Sequence, residues 1–330
     1  MNRKLIIFQI LVFLAATSCF KEDIKLEAPK PGDVETMTIE IGYPYLNQVY
    51  YNCKDNKIVS TNTKYDWHLG FETGENGYHI KVNTAKGIFV SNQGNVAFDA
   101  ITSATGLTWQ WDASSGNLDS LAIDNWYNTT TELATNNLYI IDLQSDKDGH
   151  SLGYKKIKFE NVTGTNYTFS YADLDGSNFN SFTLEKDNAL NFVSFTFANG
   201  GEIKNIEPPK DQWDLCFTNY QHFFSNLPLP FVITGVFSNK YAGIKIAENN
   251  DNKFASIQLS DTLTEEFTAY QDEIGYDWKI RNNADNSFTI DGNKSFILKD
   301  QNGLFYKIRF VDFYNETGSK GYPKFEIQKL

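Results

Sequence analysis

The feature that most constrains this chain is a repeat long enough to be a fold. Tyr65-Asp66-Trp67-His68-Leu69-Gly70-Phe71 returns as Asp211-Gln212-Trp213-Asp214-Leu215-Cys216-Phe217. Gly87-Ile88-Phe89-Val90-Ser91-Asn92 is echoed by Gly235-Val236-Phe237-Ser238-Asn239, and Asp124-Asn125-Trp126 by Tyr276-Asp277-Trp278. Tyr154-Lys155-Lys156-Ile157-Lys158-Phe159 is echoed by Leu304-Phe305-Tyr306-Lys307-Ile308-Arg309-Phe310. The order is kept and the spacing stays near roughly 146 to 152 residues, a period too long for a solenoid. Two related domains are expected, over 37–186 and 187–330.

The echoes are strand-like. Tyr78, Ile80 and Val82 alternate with His79 and Lys81, Tyr154–Phe159 alternates likewise, and Phe231–Phe237 reads as a buried run. Turn-forming pairs punctuate these runs at Asn76-Gly77, Asp148-Gly149, Asp175-Gly176, Gly200-Gly201, Asp291-Gly292 and Asn302-Gly303. No segment of a dozen residues carries a helical stripe; Thr262–Glu273, behind a cap-like Asp261, comes nearest. With 26 Phe, 18 Tyr and 6 Trp against 2 Met, the composition suits pleated sheets. The expected fold class is all-β: two related antiparallel β domains from an internal duplication.

A net charge of −12 argues against coating nucleic acid or an anionic membrane surface. Residues 1–18 have a basic start at Arg3 and Lys4 and an apolar run from Leu5 to Ala16, the pattern of a secretory signal peptide. Ala16-Thr17-Ser18-Cys19 resembles a bacterial lipobox, which implies acylation of Cys19 as the mature first residue. Lys21-Glu22-Asp23 is similar to the signal that sends Bacteroidetes lipoproteins to the outer face of the outer membrane. Residues 19–36, with Pro29, Pro31 and Gly32, form the expected tether. The implied location is the outer membrane at the cell surface, held by lipid. Cys53 and Cys216 are then the remaining cysteines, too few for a disulfide framework and without a C-x-x-C pair for zinc or redox work.

At the echoed residues a family resemblance appears. Gln212–Tyr220, Val232–Asn239, Tyr306–Tyr314 and Gly318–Glu326 resemble the HmuY family, the haem-binding lipoproteins of Bacteroidetes. The resemblance covers nearly all of 187–330 and, through the repeat, 37–186 more weakly. It implies an all-β body around a cleft, no enzymatic activity, haem as cofactor or cargo, and a TonB-dependent receptor as partner. Family members grip haem iron with two axial His or Met side chains. The first corresponding region here, Glu248–Gln258, holds neither residue type, and the second, Arg281–Phe288, offers Asn282 and Asn283. Asparagine is a poor ligand for haem iron.

The four histidines differ in promise. His68 stands where the repeat has Asp214 and is expected to make a local hydrogen bond; His79 shares a strand face with Lys81 and Asn83 and is expected to be solvated. His222 lies in Tyr220-Gln221-His222-Phe223-Phe224, ahead of Pro228 and Pro230, where an imidazole among rings suits a porphyrin. His222, Tyr220 and Phe223 are therefore ligand-binding candidates, with His222 the candidate iron ligand; the rival reading is a half-buried loop residue. Trp109-Gln110-Trp111 places two rings on one strand face, suited to a sugar or other flat ligand, or else to core packing.

Two motif matches are set aside. Gly149-His150-Ser151-Leu152-Gly153 fits G-x-S-x-G, but the strand-to-helix context of a nucleophile elbow is missing. Asp146–Gly149 and Asp173–Gly176 lack the later ligands of a calcium loop and read as Asp-Gly turns. The leading expectation is a surface lipoprotein that binds haem. The alternative is a glycan- or peptide-binding surface lipoprotein that has lost haem ligation.

Overall fold

The computed structural model describes residues 31–250 and 253–330. The leader, the lipobox with Cys19, most of the tether, and Asp251 and Asn252 of the first ligand region lie outside the described residues. Gly32–Leu330 forms one compact unit. Among the described residues the helical segments are short 3-10 turns, and no helix is long and apolar enough to cross a membrane. Asp261 sits inside one of these turns, Leu259–Leu263, where its carboxylate accepts from the Gln258 backbone N–H at 2.9 Å.

The chain is all-β and antiparallel, as its alternation predicts. Its four larger sheets come as two pairs with the same internal order, beside two small two-stranded sheets. In the first pair, a five-stranded sheet runs Asn180–Glu185, Asn166–Asp173, Tyr154–Val162, Leu138–Asp142, Phe89–Asn92. Its four-stranded companion runs Glu202–Lys204, Phe192–Thr196, Leu69–Glu72, Ile80–Val82. In the second pair, the five-stranded sheet runs Glu35–Thr38, Lys320–Lys329, Phe305–Tyr314, Ser295–Lys299, Lys245–Asn249. Its companion runs Lys57–Thr63, Asn47–Asn52, Leu215–His222, Phe231–Ser238.

The sheets do not follow the expected division at 186/187. Phe192–Thr196 pairs with Leu69–Glu72, whereas Asn47–Asn52 pairs with Leu215–His222. The first sheet pair is therefore a continuous stretch, inserted between the strands Lys57–Thr63 and Leu215–His222 of the second. The cores divide the same way. One contains Leu69 to Phe197; the other joins Ile39, Ile41, Val49, Tyr51 and Cys53 to residues from Leu215 to Ile327. Sequence order hides this arrangement because a β-core is closed by long-range pairing.

One echo also sits in a different register. Asn83 and Asn239 occupy equivalent places, each bonded to the same backbone carbonyls of its own sheet pair, so Gly87 matches Gly243 and not Gly235. Both glycines adopt the left-handed backbone that a side chain resists, at φ 80° and 91°. Gly235 serves another purpose: a Cβ there would lie 2.4 Å from the Gly275 carbonyl oxygen. The echo at Trp126 and Trp278 has matching contacts. Trp126 and Trp278 each donate their indole N–H to a carbonyl, of Tyr78 at 2.9 Å and Gly275 at 3.2 Å, and each packs on the matching ring, Phe159 or Phe310.

Candidate functional site

His222 closes the strand Leu215–His222, opposite Phe231. The strand's alternation sets Tyr220, His222 and Phe224 on one side, where Tyr276 joins them. Ring centroids lie 4.7 Å from His222 to Phe224, 4.9 Å to Tyr276 and 6.3 Å to Tyr220. His222 Nδ1 is buried without a hydrogen-bond partner among the described residues. Burial lowers the His222 pKa, against Asp272 and Asp277, which raise it, so the imidazole is neutral at pH 7 and keeps a lone pair. The Tyr220 hydroxyl is pushed well above its ordinary range, by burial first and then by Asp272, so phenolate chemistry there is disfavoured.

Phe223 turns away from this cluster and is 47% exposed. Its ring tilts against Trp111 at 5.6 Å, and Trp111 meets Phe89 edge-on at 6.1 Å. Trp109 stacks on Tyr154 at 5.9 Å with planes 21° apart. Between the two tryptophans, Gln110 pairs its backbone with Val90 in both directions, which fixes their presentation. The structure thus joins candidates from distant parts of the sequence: Phe223 brings the His222 segment against the Trp109–Trp111 segment. Trp109 and Trp111 are half-buried and belong to neither main core.

The two regions expected to carry iron ligands are otherwise engaged. Glu248 accepts from Lys294 at 3.0 Å, and the Phe254 backbone carbonyl accepts from the buried Lys307 at 2.8 Å. Asn282 and Asn283 are exposed in a hairpin turn, and the Asn282 side chain accepts from the Ala284 backbone N–H at 3.0 Å.

The other histidines are local. The Lys86 ammonium donates to His68 Nε2 at 2.8 Å, and His68 Nδ1 lies 2.9 Å from the Thr196 hydroxyl. Burial, then Lys86 and Lys155, lower the His68 pKa to about 3. His79 is not merely solvated: its Nδ1 lies 2.6 Å from Glu72 and its ring stacks on Tyr78 at 4.0 Å. Burial raises the Glu72 pKa, but hydrogen bonds from His79 and Tyr78 outweigh it and hold the carboxyl below its usual range. His150, Asp146 and Asp148 bring ligand atoms within 4.8 Å of one another on an exposed turn, an empty arrangement already tied by internal hydrogen bonds and by Lys147. Ser151 bridges Ser145 across that turn and the strand Tyr154–Val162 follows, so no nucleophile elbow forms.

One feature of the molecule has no sequence signature. A cavity at the seam between the sheet pairs is lined by Lys81, Asp112, Glu207 and Trp213, contributed by four separate segments.

The family model described as HmuY protein matches residues 44–327. No curated protein matches the chain. Among solved structures, apo PinO from Porphyromonas gingivitis is 13% identical with a TM-score of 0.30, over 90% of this chain and 97% of that one. The apo HmuY analog of Tannerella forsythia is 10% identical with a TM-score of 0.26, over 92% and 98%.

Proposed function

We propose, from the premise that this chain belongs to the HmuY family, that it is a non-enzymatic lipoprotein that captures haem at the cell surface. The observation that carries this reading is His222, whose buried Nδ1 has no partner among the described residues and whose ring lies among Tyr220, Phe224 and Tyr276. A buried polar atom left unpaired costs free energy unless something else satisfies it. A neutral imidazole is the form that ligates haem iron, and aromatic neighbours suit a planar macrocycle.

In this reading Cys19 carries the lipid, residues 19–36 hold the body off the outer membrane, and a TonB-dependent receptor receives the haem. Asn282 and Asn283 take no part in iron ligation. The site differs from the two-ligand pattern that the resemblance implies, and iron contact rests on His222 alone.

Titration of a Cys19→Ser soluble form with oxidised and reduced haem tests the reading. A sharp Soret shift that His222→Ala abolishes is the expected result. A spectrum identical to free haem in both redox states would overturn it.

A second reading has its own observation. The half-exposed Trp109 stacks on Tyr154, a ring platform of the sort that binds sugars. Retardation in a polysaccharide gel, lost in Trp109→Ala/Trp111→Ala, would favour a glycan-binding lipoprotein; unaltered mobility would remove that alternative.

A further inference from the structure

The two sheet pairs meet the same carbonyl with different donors. Counting back from the equivalent Asn83 and Asn239, Tyr78 corresponds to Thr234, and Trp126 corresponds to Trp278. In the first pair the Tyr78 carbonyl accepts from the Trp126 indole at 2.9 Å. In the second, the Trp278 indole donates to Gly275, and the Thr234 carbonyl accepts from the Lys279 ammonium at 2.5 Å. A fixed neutral donor in one half is replaced in the other by a donor that titrates.

Lys279 takes a place that a backbone amide would fill. Val236 and Gly275 exchange both backbone bonds, at 2.9 and 3.2 Å, along the outer edge of Phe231–Ser238. An antiparallel ladder continued from there would set Asp277 opposite Thr234. The pairing stops at that single bridge, and the Lys279 ammonium meets Thr234 instead; it also reaches the Tyr276 carbonyl at 3.3 Å. Lys279 is 7% exposed, and its ammonium lies 4.3 Å from the Trp278 ring centroid and 5.1 Å from that of Phe313. Among the described residues no carboxylate forms an ion pair with it.

The Tyr276 ring stands 4.9 Å from His222 and 5.8 Å from Phe224. Thr234 belongs to the hairpin whose other strand ends in His222. One buried side chain therefore joins the two segments that face each other across the His222 cluster.

We propose that Lys279 is a positioning residue for the His222 pocket: its ammonium ties the Tyr276 segment to the hairpin that carries His222. Its effect on haem affinity rests on His222 being the haem contact, whereas the tie itself holds in the ligand-free protein.

A charged donor bonds a carbonyl more strongly than a neutral amine does. Burial lowers the Lys279 pKa to about 7, and Asp277, itself paired with Lys294 at 2.6 Å, opposes that shift. Tyr276 on the same segment, Arg281 and Lys320 at Phe288, and Asp312 and Tyr314 beside Phe313 are the other titratable groups on the packed elements. Burial lowers the His222 pKa below its ordinary value, so His222 is neutral before Lys279 gives up its proton. The tie is therefore strong below pH 7 and slackens as pH rises through it.

The test follows the His222 Cε1 proton by NMR in the Cys19→Ser soluble form, because the Tyr276 ring current shifts that resonance. Besides the imidazole's own titration at lower pH, a second step near pH 7 is expected in the wild type and is absent in Lys279→Met. With reduced haem, the wild type is expected to bind roughly fivefold more weakly at pH 8.5 than at pH 6.5, and Lys279→Met to bind equally at both. The same His222 pH dependence in wild type and Lys279→Met overturns the proposal. A Lys279-dependent step without any Soret shift upholds the tie and overturns haem binding instead. If Lys279→Met does not fold, the wild type decides: the Lys279 ε-methylene and the second His222 step share one midpoint, and unequal midpoints overturn the proposal.

Discussion

Asn83 and Asn239 do the same work at equivalent places in the two sheet pairs. Asn83 donates to the carbonyls of Lys64 and Trp67 at 2.8 and 2.9 Å; Asn239 donates to those of Lys210 and Trp213 at 2.9 and 3.0 Å. Each clamps the chain entering its central strand to the turn that follows the hairpin, and both are fully buried. Asn239 carries an extra bond, accepting from the Asn191 side chain at 2.9 Å across the seam. Alanine at either site leaves buried carbonyls unpaired, at a cost of about 2 kcal/mol for Asn83→Ala and about 3 kcal/mol for Asn239→Ala. Urea denaturation checks both the size and the order; equal losses would show that the seam bond contributes nothing.

His68 predicts an acid limb. Its folded pKa, about 3, lies below the ordinary 6.5, so the unfolded chain binds a proton that the folded chain refuses. The contribution is fully present above pH 6.5 and is lost as pH falls toward 3. Lys86 and Lys155 are the cations that oppose protonation, and burial is the larger cause. His68→Gln keeps an acceptor for Lys86 without the titration. The mutant is expected to lose about 3 kcal/mol less than wild type between pH 6.5 and pH 3.5 in unfolding free energy.

Asp112 works with the opposite sign. Its carboxyl is pushed up to about 7, chiefly by burial, so between pH 4 and pH 7 the folded chain holds a proton that the unfolded chain releases. Stability from this group falls as pH rises through that window. Asp112→Asn flattens the slope there, while its amide NH2 meets one of the two backbone donors and costs about 1–3 kcal/mol at low pH. Unfolding free energies at pH 4.5 and 7.5 separate the two effects: the mutant's deficit shrinks at the higher pH.

Gly235 couples packing to the His222 site. A methyl group there would lie 2.4 Å from the Gly275 oxygen and 2.8 Å from Tyr220 Cε1, so either the backbone bridge between Val236 and Gly275 parts or Tyr220 moves. Gly235→Ala is expected to cost about 3 kcal/mol and to disturb the rings beside His222. Near-ultraviolet circular dichroism reads the second effect; an unchanged aromatic spectrum with intact stability would contradict the packing.

The sequence makes the all-β character legible because alternation and turn pairs are local signals. Asp175-Gly176 does join Asn166–Asp173 to Asn180–Glu185, and Asn302-Gly303 joins Ser295–Lys299 to Phe305–Tyr314. The division of the sheets is not legible, because Asn47–Asn52 finds its partner in Leu215–His222 after a whole sheet pair has intervened. The Gly87 register fails for a related reason: the turns after Ile80–Val82 and Phe231–Ser238 start from hairpins of different length, so a glycine four residues past the clamping asparagine carries the equivalence. Lys81 alternates on its strand as a solvent-facing residue would and stays partly exposed between the buried Ile80 and Val82. The sequence gives no sign that it shares a seam cavity with Trp213, Cys216 and Phe237 of the other sheet pair.

The contact between Trp111 and Phe223 ties the two candidate segments together across the sheet pairs, at 5.6 Å and 32° between planes. Phe223 is half exposed, so truncating it alone is inexpensive; Trp111 also meets Phe89, so its removal costs more. A tilted ring pair contributes about 0.5–1.5 kcal/mol beyond the area it covers, and that share is what a double-mutant cycle isolates. The cycle of Trp111→Ala, Phe223→Ala and the double mutant is expected to show a coupling of about 1 kcal/mol in unfolding free energy. If the segments act as one surface, haem added to saturation changes that coupling, since a ligand at His222 repositions the residue next to it. A coupling near zero would mean the hairpin carrying His222 moves independently of Trp111, and the two segments would then have to be treated as separate sites.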